Sequence, residues 1–279
     1  MKEIKKIEQP KTSPNKNPAK KKPRPVEVVW HSDQKRISGW DIFVYSLPLE
    51  GKEHDGWSVR ENNLVVSDGA TPLSEEWGGD LYHWVNTLSS LFAENGKDLN
   101  KSLQEVWIES IKFVNGIFPP QSFKRTMGTS QIRFNNHTIE ALTVGDTKII
   151  LRKVDGNFIE LFDSRLTKWE QKADALIDEG LLTGEMAAWH NRLKANQLDG
   201  YYIVSDDPTV ANAAYPYDIE EYKIDSIIIC SDGLWRLFEG EPELLFSKVN
   251  SKHPESLKER ISKIGKISDD LTFIRLDKR

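Results

Sequence analysis

Five Asp-Gly pairs punctuate the chain, at Asp55-Gly56, Asp68-Gly69, Asp155-Gly156, Asp199-Gly200 and Asp232-Gly233. Asp-Gly is ordinarily a turn dipeptide, because glycine reaches positive φ without steric cost. Two of the five stand in a different setting. Asp68-Gly69 follows the apolar run Leu64-Val65-Val66-Ser67, and Asp232-Gly233 follows Ile227-Ile228-Ile229-Cys230-Ser231 and precedes Leu234-Trp235-Arg236-Leu237-Phe238. A carboxylate at the end of a buried strand, where the chain turns sharply, is placed to hold a metal ion facing a site. Hard divalent cations take oxygen ligands, and this chain offers aspartates, with six scattered histidines and a single cysteine, Cys230, beside them. Two unit charges 4 Å apart at an effective dielectric near 20 interact by about 4 kcal/mol. Converging aspartates therefore repel unless cations sit between them.

The elements that must hold these groups are short and mixed. Strand-length runs recur at Ile42-Phe43-Val44-Tyr45, Leu64-Val65-Val66, Ile139 to Val144, Ile149-Ile150-Leu151, Ser226 to Cys230 and Leu271 to Leu276. Helical spacing joins Leu81, Trp84, Val85, Leu88 and Leu91, then Leu99, Leu103, Val106, Trp107, Ile111 and Val114. Asp155-Gly156 reads as a hairpin turn, which indicates antiparallel pairing. Residues 165–200 are polar and largely helical, with Ala173, Leu176, Ile177 and Leu181 on one stripe. Strands, two helices, hairpin strands, a helical stretch, a strand, two helices and a final strand make an α+β chain without regular βαβ alternation.

Composition narrows the class. With 279 residues, 38% hydrophobic and 29% charged, the chain can bury one large core and matches neither a membrane-spanning nor a low-complexity class. One cysteine excludes an internal disulfide, and no zinc-finger spacing occurs. The net charge of -5 hides an asymmetry: residues 1–25 hold nine Lys/Arg, two Glu and five of the thirteen prolines. This segment is expected to be a disordered basic arm ahead of a catalytic domain at 26–279, able to contact an acidic partner. The acidic remainder argues against stable nucleic-acid or membrane binding, and the lack of an apolar stretch after the basic start gives a cytoplasmic expectation.

Six motifs in order, between about Trp40 and Leu276, resemble those of the metal-dependent serine/threonine protein phosphatases, the PPM or type 2C-like family. Glu53-His54-Asp55 looks like its acidic motif, Val66-Ser67-Asp68-Gly69-Ala70-Thr71 like its Asp-Gly motif and Met127-Gly128-Thr129-Ser130 like its Gly-Ser/Thr strand start. Val144-Gly145-Asp146-Thr147 is similar to its Gly-Asp-Ser motif, Cys230 to Trp235 to Ser-Asp-Gly-Leu, and Ser268-Asp269-Asp270-Leu271-Thr272 to its terminal motif. The resemblance implies a four-layer αββα sandwich of two antiparallel sheets flanked by helices, with two or three Mg2+ or Mn2+ ions at one edge. It carries over Asp68 as a bridging ligand, Gly69 as a carbonyl ligand, Asp232 and Asp269 as carboxylates, Asp55 as a ligand through water and Asp146 as part of a third site. The implied activity is hydrolysis of phosphoserine or phosphothreonine in a phosphoprotein by a metal-activated water.

The chain departs from that pattern in three places. Thr71-Pro72 stands where the family has Gly-Gly, and Ala70 where some members place a histidine acid. No arginine stands just before the acidic motif, leaving Lys52 as the phosphate-binding candidate and His54, next to Asp55, as the proton-donor candidate. A phosphatase-like module that binds without turning over is the alternative these departures raise. Cys230 and Arg236 also satisfy a Cys-x5-Arg pattern, but a cysteine ending an apolar strand is expected to behave as a buried hydrophobe. Trp84, Trp107 and Trp189 are expected in the core, His83 and His190 to be ordinary histidines, and Glu239, Glu241 and Glu243 to be a solvated face.

Overall fold

A computed structural model of the chain describes residues 26–30, 37, 39–48, 54–70, 81–120, 125–183, 186, 191, 193–249, 254–264 and 270–279. The basic segment 1–25, Lys52, Trp189, His190 and Asp269 lie outside the described residues. Eleven strands are described: β1 (Val26–Trp30), β2 (Trp40–Leu47), β3 (Gly56–Arg60), β4 (Asn63–Gly69), β5 (Met127–Asn135), β6 (Thr138–Val144), β7 (Lys148–Lys153), β8 (Phe158–Phe162), β9 (Tyr215–Glu220), β10 (Ile224–Cys230) and β11 (Leu271–Lys278). Helices α1 (Leu81–Asn95), α2 (Leu103–Ile117), α3 (Ser164–Asp178), α4 (Asp232–Trp235), α5 (Pro242–Lys248) and α6 (Pro254–Ile264) intervene. None is long and apolar enough to cross a membrane.

The strands form two antiparallel sheets, ordered β1-β2-β11-β10-β7-β8 and β3-β4-β5-β6-β9. Strand alternation then builds the layers, because successive side chains point to opposite faces. In β10, Ile227 and Ile229 enter a core shared with Leu64 and Val66 of β4, Ile132 of β5 and Ile274 of β11. Their neighbours Ile228 and Cys230 face the other way, against Leu234, Phe238, Leu245 and Phe246. In β4, Val65 points away from the shared core toward Trp84 and Leu88 of α1 and Trp107 of α2. Both central strands are buried on two faces, so they read as continuous apolar runs. The result is the αββα sandwich expected from the motifs.

Local chemistry sets the element ends. Ser102 caps α2 and Glu105 reaches back to its amide, a reciprocal capping box, so the helix starts there and Leu99 lies outside it, largely exposed. Gly156 has φ +86°, and it turns β7 into β8 as the Asp-Gly pair requires. One helical stripe differs from expectation. Helix α3 buries Leu166, Trp169 and Ala173, whereas Ile177 in its last turn is exposed, and Leu181, past the helix end at Asp178, is exposed as well.

Candidate metal centre

A strand end, a turn and a helix start deliver carboxylates to one end of the sandwich. Asp68 is the penultimate residue of β4, Asp232 opens α4 two residues after β10 ends, and Asp146 sits in the turn between β6 of one sheet and β7 of the other. One carboxylate oxygen from each lies within 4.8 Å of the others. The Asp232 amide donates to Asp68 Oδ2 at 3.2 Å. Beneath them, Ser231 holds β10 to β11: its hydroxyl accepts from the Thr272 amide at 3.0 Å, and its own amide donates to the Thr272 carbonyl. Trp235 Nε1 donates to the Asp146 carbonyl at 2.9 Å, fixing the turn from α4.

Glycines make room for this convergence. Gly128 pairs with Asp68 across β4 and β5, and a Cβ there would overlap Asp146 Oδ1. Gly145 has φ +79° and would meet the Gly128 Cα at 2.8 Å. A Cβ on Gly69 would overlap the His54 carbonyl, so the carbonyl-ligand candidate and the acidic motif are in contact.

The other acidic pair stands beside the cluster. Asp270, just ahead of β11, accepts the His54 amide at 2.7 Å and the Asp55 amide at 3.4 Å. Burial pushes the Asp55 carboxyl well above its ordinary range; Asp270 adds to the shift and Asp232 contributes less, while the Ser231 and Thr272 hydroxyls oppose it. Asp146 is pushed up to about 7, by burial first, then by Asp232 and Glu170. A cleft of about 310 Å3 opens onto Asp55 and Asp270 and is walled by Ser46, Trp57, Tyr82 and Asn86.

The donor set fits a hard divalent cation. Asp146 Oδ1 and Asp55 Oδ2 are buried and have no hydrogen-bond partner among the described residues, which is costly for a polar atom unless a cation satisfies it. Of the residues singled out in the sequence, the structure thus gathers Asp55, Asp68, Gly69, Asp146 and Asp232, with His54 alongside through its backbone. Lys52 and Asp269 lie outside the described residues. Two further residues join, Arg236, which the sequence offered only in the Cys-x5-Arg pattern, and Glu170, which carried no signal: Arg236 Nε lies 3.0 Å from Asp232 Oδ2, and Arg236 Nη2 donates to Glu170 Oε1 of α3 at 2.7 Å.

The cysteine pattern has a different outcome. Cys230 is fully buried in the core against α4 and α5, and burial raises its thiol above the ordinary range. A neutral, inaccessible thiol is not a nucleophile. Trp84 and Trp107 are fully buried, His83 is exposed, and Glu239, Glu241 and Glu243 are exposed as anticipated.

No protein-family model matches the sequence, and no curated protein does. Solved structures do match the fold. The PPM Ser-Thr phosphatase MsPP from Mycobacterium smegmatis, in complex with cacodylate, aligns with a TM-score of 0.56 at 15% identity, covering 88% of this chain and 100% of its own. The catalytic domain of the serine threonine protein phosphatase PstP, in complex with two manganese ions, aligns at 0.57 and 16% identity over 85% and 97%. Serine/threonine phosphatase Stp1 from Staphylococcus aureus gives 0.57 and 13% over 85% and 94%. With its two antiparallel sheets, flanking helices and edge of aspartates, the chain has the fold of the PPM Ser/Thr phosphatases.

Proposed function

We propose that the chain is a divalent-metal-dependent phosphomonoesterase acting on phosphoserine or phosphothreonine in a protein substrate. The observation that carries the reading is the convergence of Asp68, Asp146 and Asp232, with ligand atoms within 4.8 Å of one another, at the edge where both sheets end. Asp68, the Gly69 carbonyl and Asp232 would hold Mg2+ or Mn2+, with Asp146 as a further donor, Asp55 reaching the ions through water and Asp269 as a further carboxylate. Such ions supply Lewis-acid charge for the phosphoryl oxygens and lower the pKa of a water.

The chain's own groups set the rest of the chemistry. Ser231 and Thr272 fix the strand ends, so the aspartates are held before any ligand arrives. The hydroxyls around Asp55 and the amides on Asp270 orient a second carboxylate layer beside the cleft. The cleft beside Asp55 and Asp270 has room for the residues flanking a phosphoserine. His54 is the proton-donor candidate next to that layer.

Phosphate release from a phosphoserine or phosphothreonine peptide, measured with Mn2+, with Mg2+ and with chelator, tests the reading. Release with either ion and none with chelator is the expected result. Metal binding without release would assign the fold here to a binding module, and release that survives chelation would remove the metal from the account.

A further inference from the structure

The residues just ahead of the acidic motif include no arginine for a substrate phosphate, yet the structure brings Arg236 to the cluster. Arg236 lies one turn past Asp232 and keeps a side chain 48% exposed at the rim. Its Nε pairs with Asp232 Oδ2 at 3.0 Å and its Nη2 donates to Glu170 Oε1 at 2.7 Å, while the guanidinium packs 5.5 Å from the Trp235 ring centroid. Nη1 has no hydrogen-bond partner among the described residues.

Resting on the phosphatase reading above, we propose that Arg236 is the residue that binds the substrate phosphate. A guanidinium is a planar fork of N–H donors that matches two phosphate oxygens, and it carries its charge at every working pH. Two carboxylates and an aromatic face hold the plane, which lowers the conformational cost of using the free donors on a ligand. Position supports the role as well. Asp146, Asp232 and Glu170 place negative charge where a phosphate dianion must arrive, and Arg236 is the cation that ion-pairs with two of these groups.

A merely architectural role would make Arg236 a counter-ion of Asp232, and that role predicts a different result. Removing a counter-ion would change Mn2+ affinity and leave phosphate binding alone. Inorganic phosphate is therefore titrated calorimetrically into the Mn2+-saturated full-length chain, as wild type and as Arg236→Gln. Arg236→Met, which keeps the apolar stem over Trp235, carries the same expectation should the first variant fold poorly. The proposal expects phosphate affinity to fall at least fivefold, with KM for a phosphopeptide rising in parallel and Mn2+ affinity undiminished. A fall smaller than fivefold in a folded variant, or no phosphate binding by wild type at millimolar concentration, overturns it. If wild type binds phosphate through Arg236 but releases none from a phosphopeptide, the assignment of Arg236 stands and the hydrolase reading fails. If wild type hydrolyses and the variants bind phosphate normally, Arg236 alone is misassigned.

Discussion

The amide of Asp232 donates to Asp68 Oδ2 across 164 positions of sequence, joining the end of β10 in one sheet to the end of β4 in the other. This bond sets two acidic side chains against each other where both sheets stop. Cations that bridge them bind only the folded chain, and such a ligand adds about 2.7 kcal/mol at a hundred times its Kd. Mn2+ should therefore raise the thermal midpoint by several degrees. Calorimetry of Asp68→Asn with Mn2+ and with chelator should show most of that shift erased.

Gly128 leaves the space that Asp146 Oδ1 fills. Gly128→Ala should displace the Asp146 carboxylate rather than β5, because the strand is paired on both sides and the turn is not. Mn2+ affinity, read by titration calorimetry, should fall by tenfold or more, about 1.4 kcal/mol, with the circular dichroism spectrum unchanged.

The raised Asp146 carboxyl links stability to pH with a definite sign. Its ordinary value is 3.8, and in the folded chain it is about 7. Between those values the folded state holds a proton that the unfolded state has released, so metal-free stability is greatest below pH 4 from this group and falls as pH rises to about 7. Urea midpoints in chelator should decline from pH 5 to pH 7.5, and Asp146→Asn should flatten that decline. With Mn2+ the trend opposes it, because ions compete with protons for the same oxygens.

Cys230 fills the core behind the cluster without touching the chemistry. Cys230→Ser should cost about 1–3 kcal/mol, the range for burying a hydroxyl with incomplete hydrogen bonding. Turnover of the folded variant should stay within twofold of wild type, and a urea titration alongside the activity assay checks both.

Asp68 and Asp232 were legible in sequence because each ends a strand buried on both faces, which leaves an unbroken apolar run pointing at the carboxylate. Strand β9 was not legible. Tyr215–Glu220 contains Pro216 and Asp218 and alternates partly buried with exposed positions; only its pairing with β6 makes it a strand. The pairing of Asp270 with the amides of His54 and Asp55 spans over 200 residues and depends on how the sheets stack. Arg236 and Glu170 escaped for a similar reason, since neither the polar helix α3 nor the turn after Trp235 announces that they meet. Residue types at strand ends are local information, whereas the company they keep belongs to the tertiary structure.

The central claim is that the aspartate cluster binds divalent ions and that this binding drives phosphoester hydrolysis. Its most direct test is a Mn2+ titration and a phosphopeptide assay on the same samples of wild type, Asp68→Asn and Asp232→Asn. Wild type should bind Mn2+ and release phosphate, and both variants should lose the two properties together while remaining folded. Full activity in either variant, or Mn2+ binding unaltered in both, would contradict the assignment.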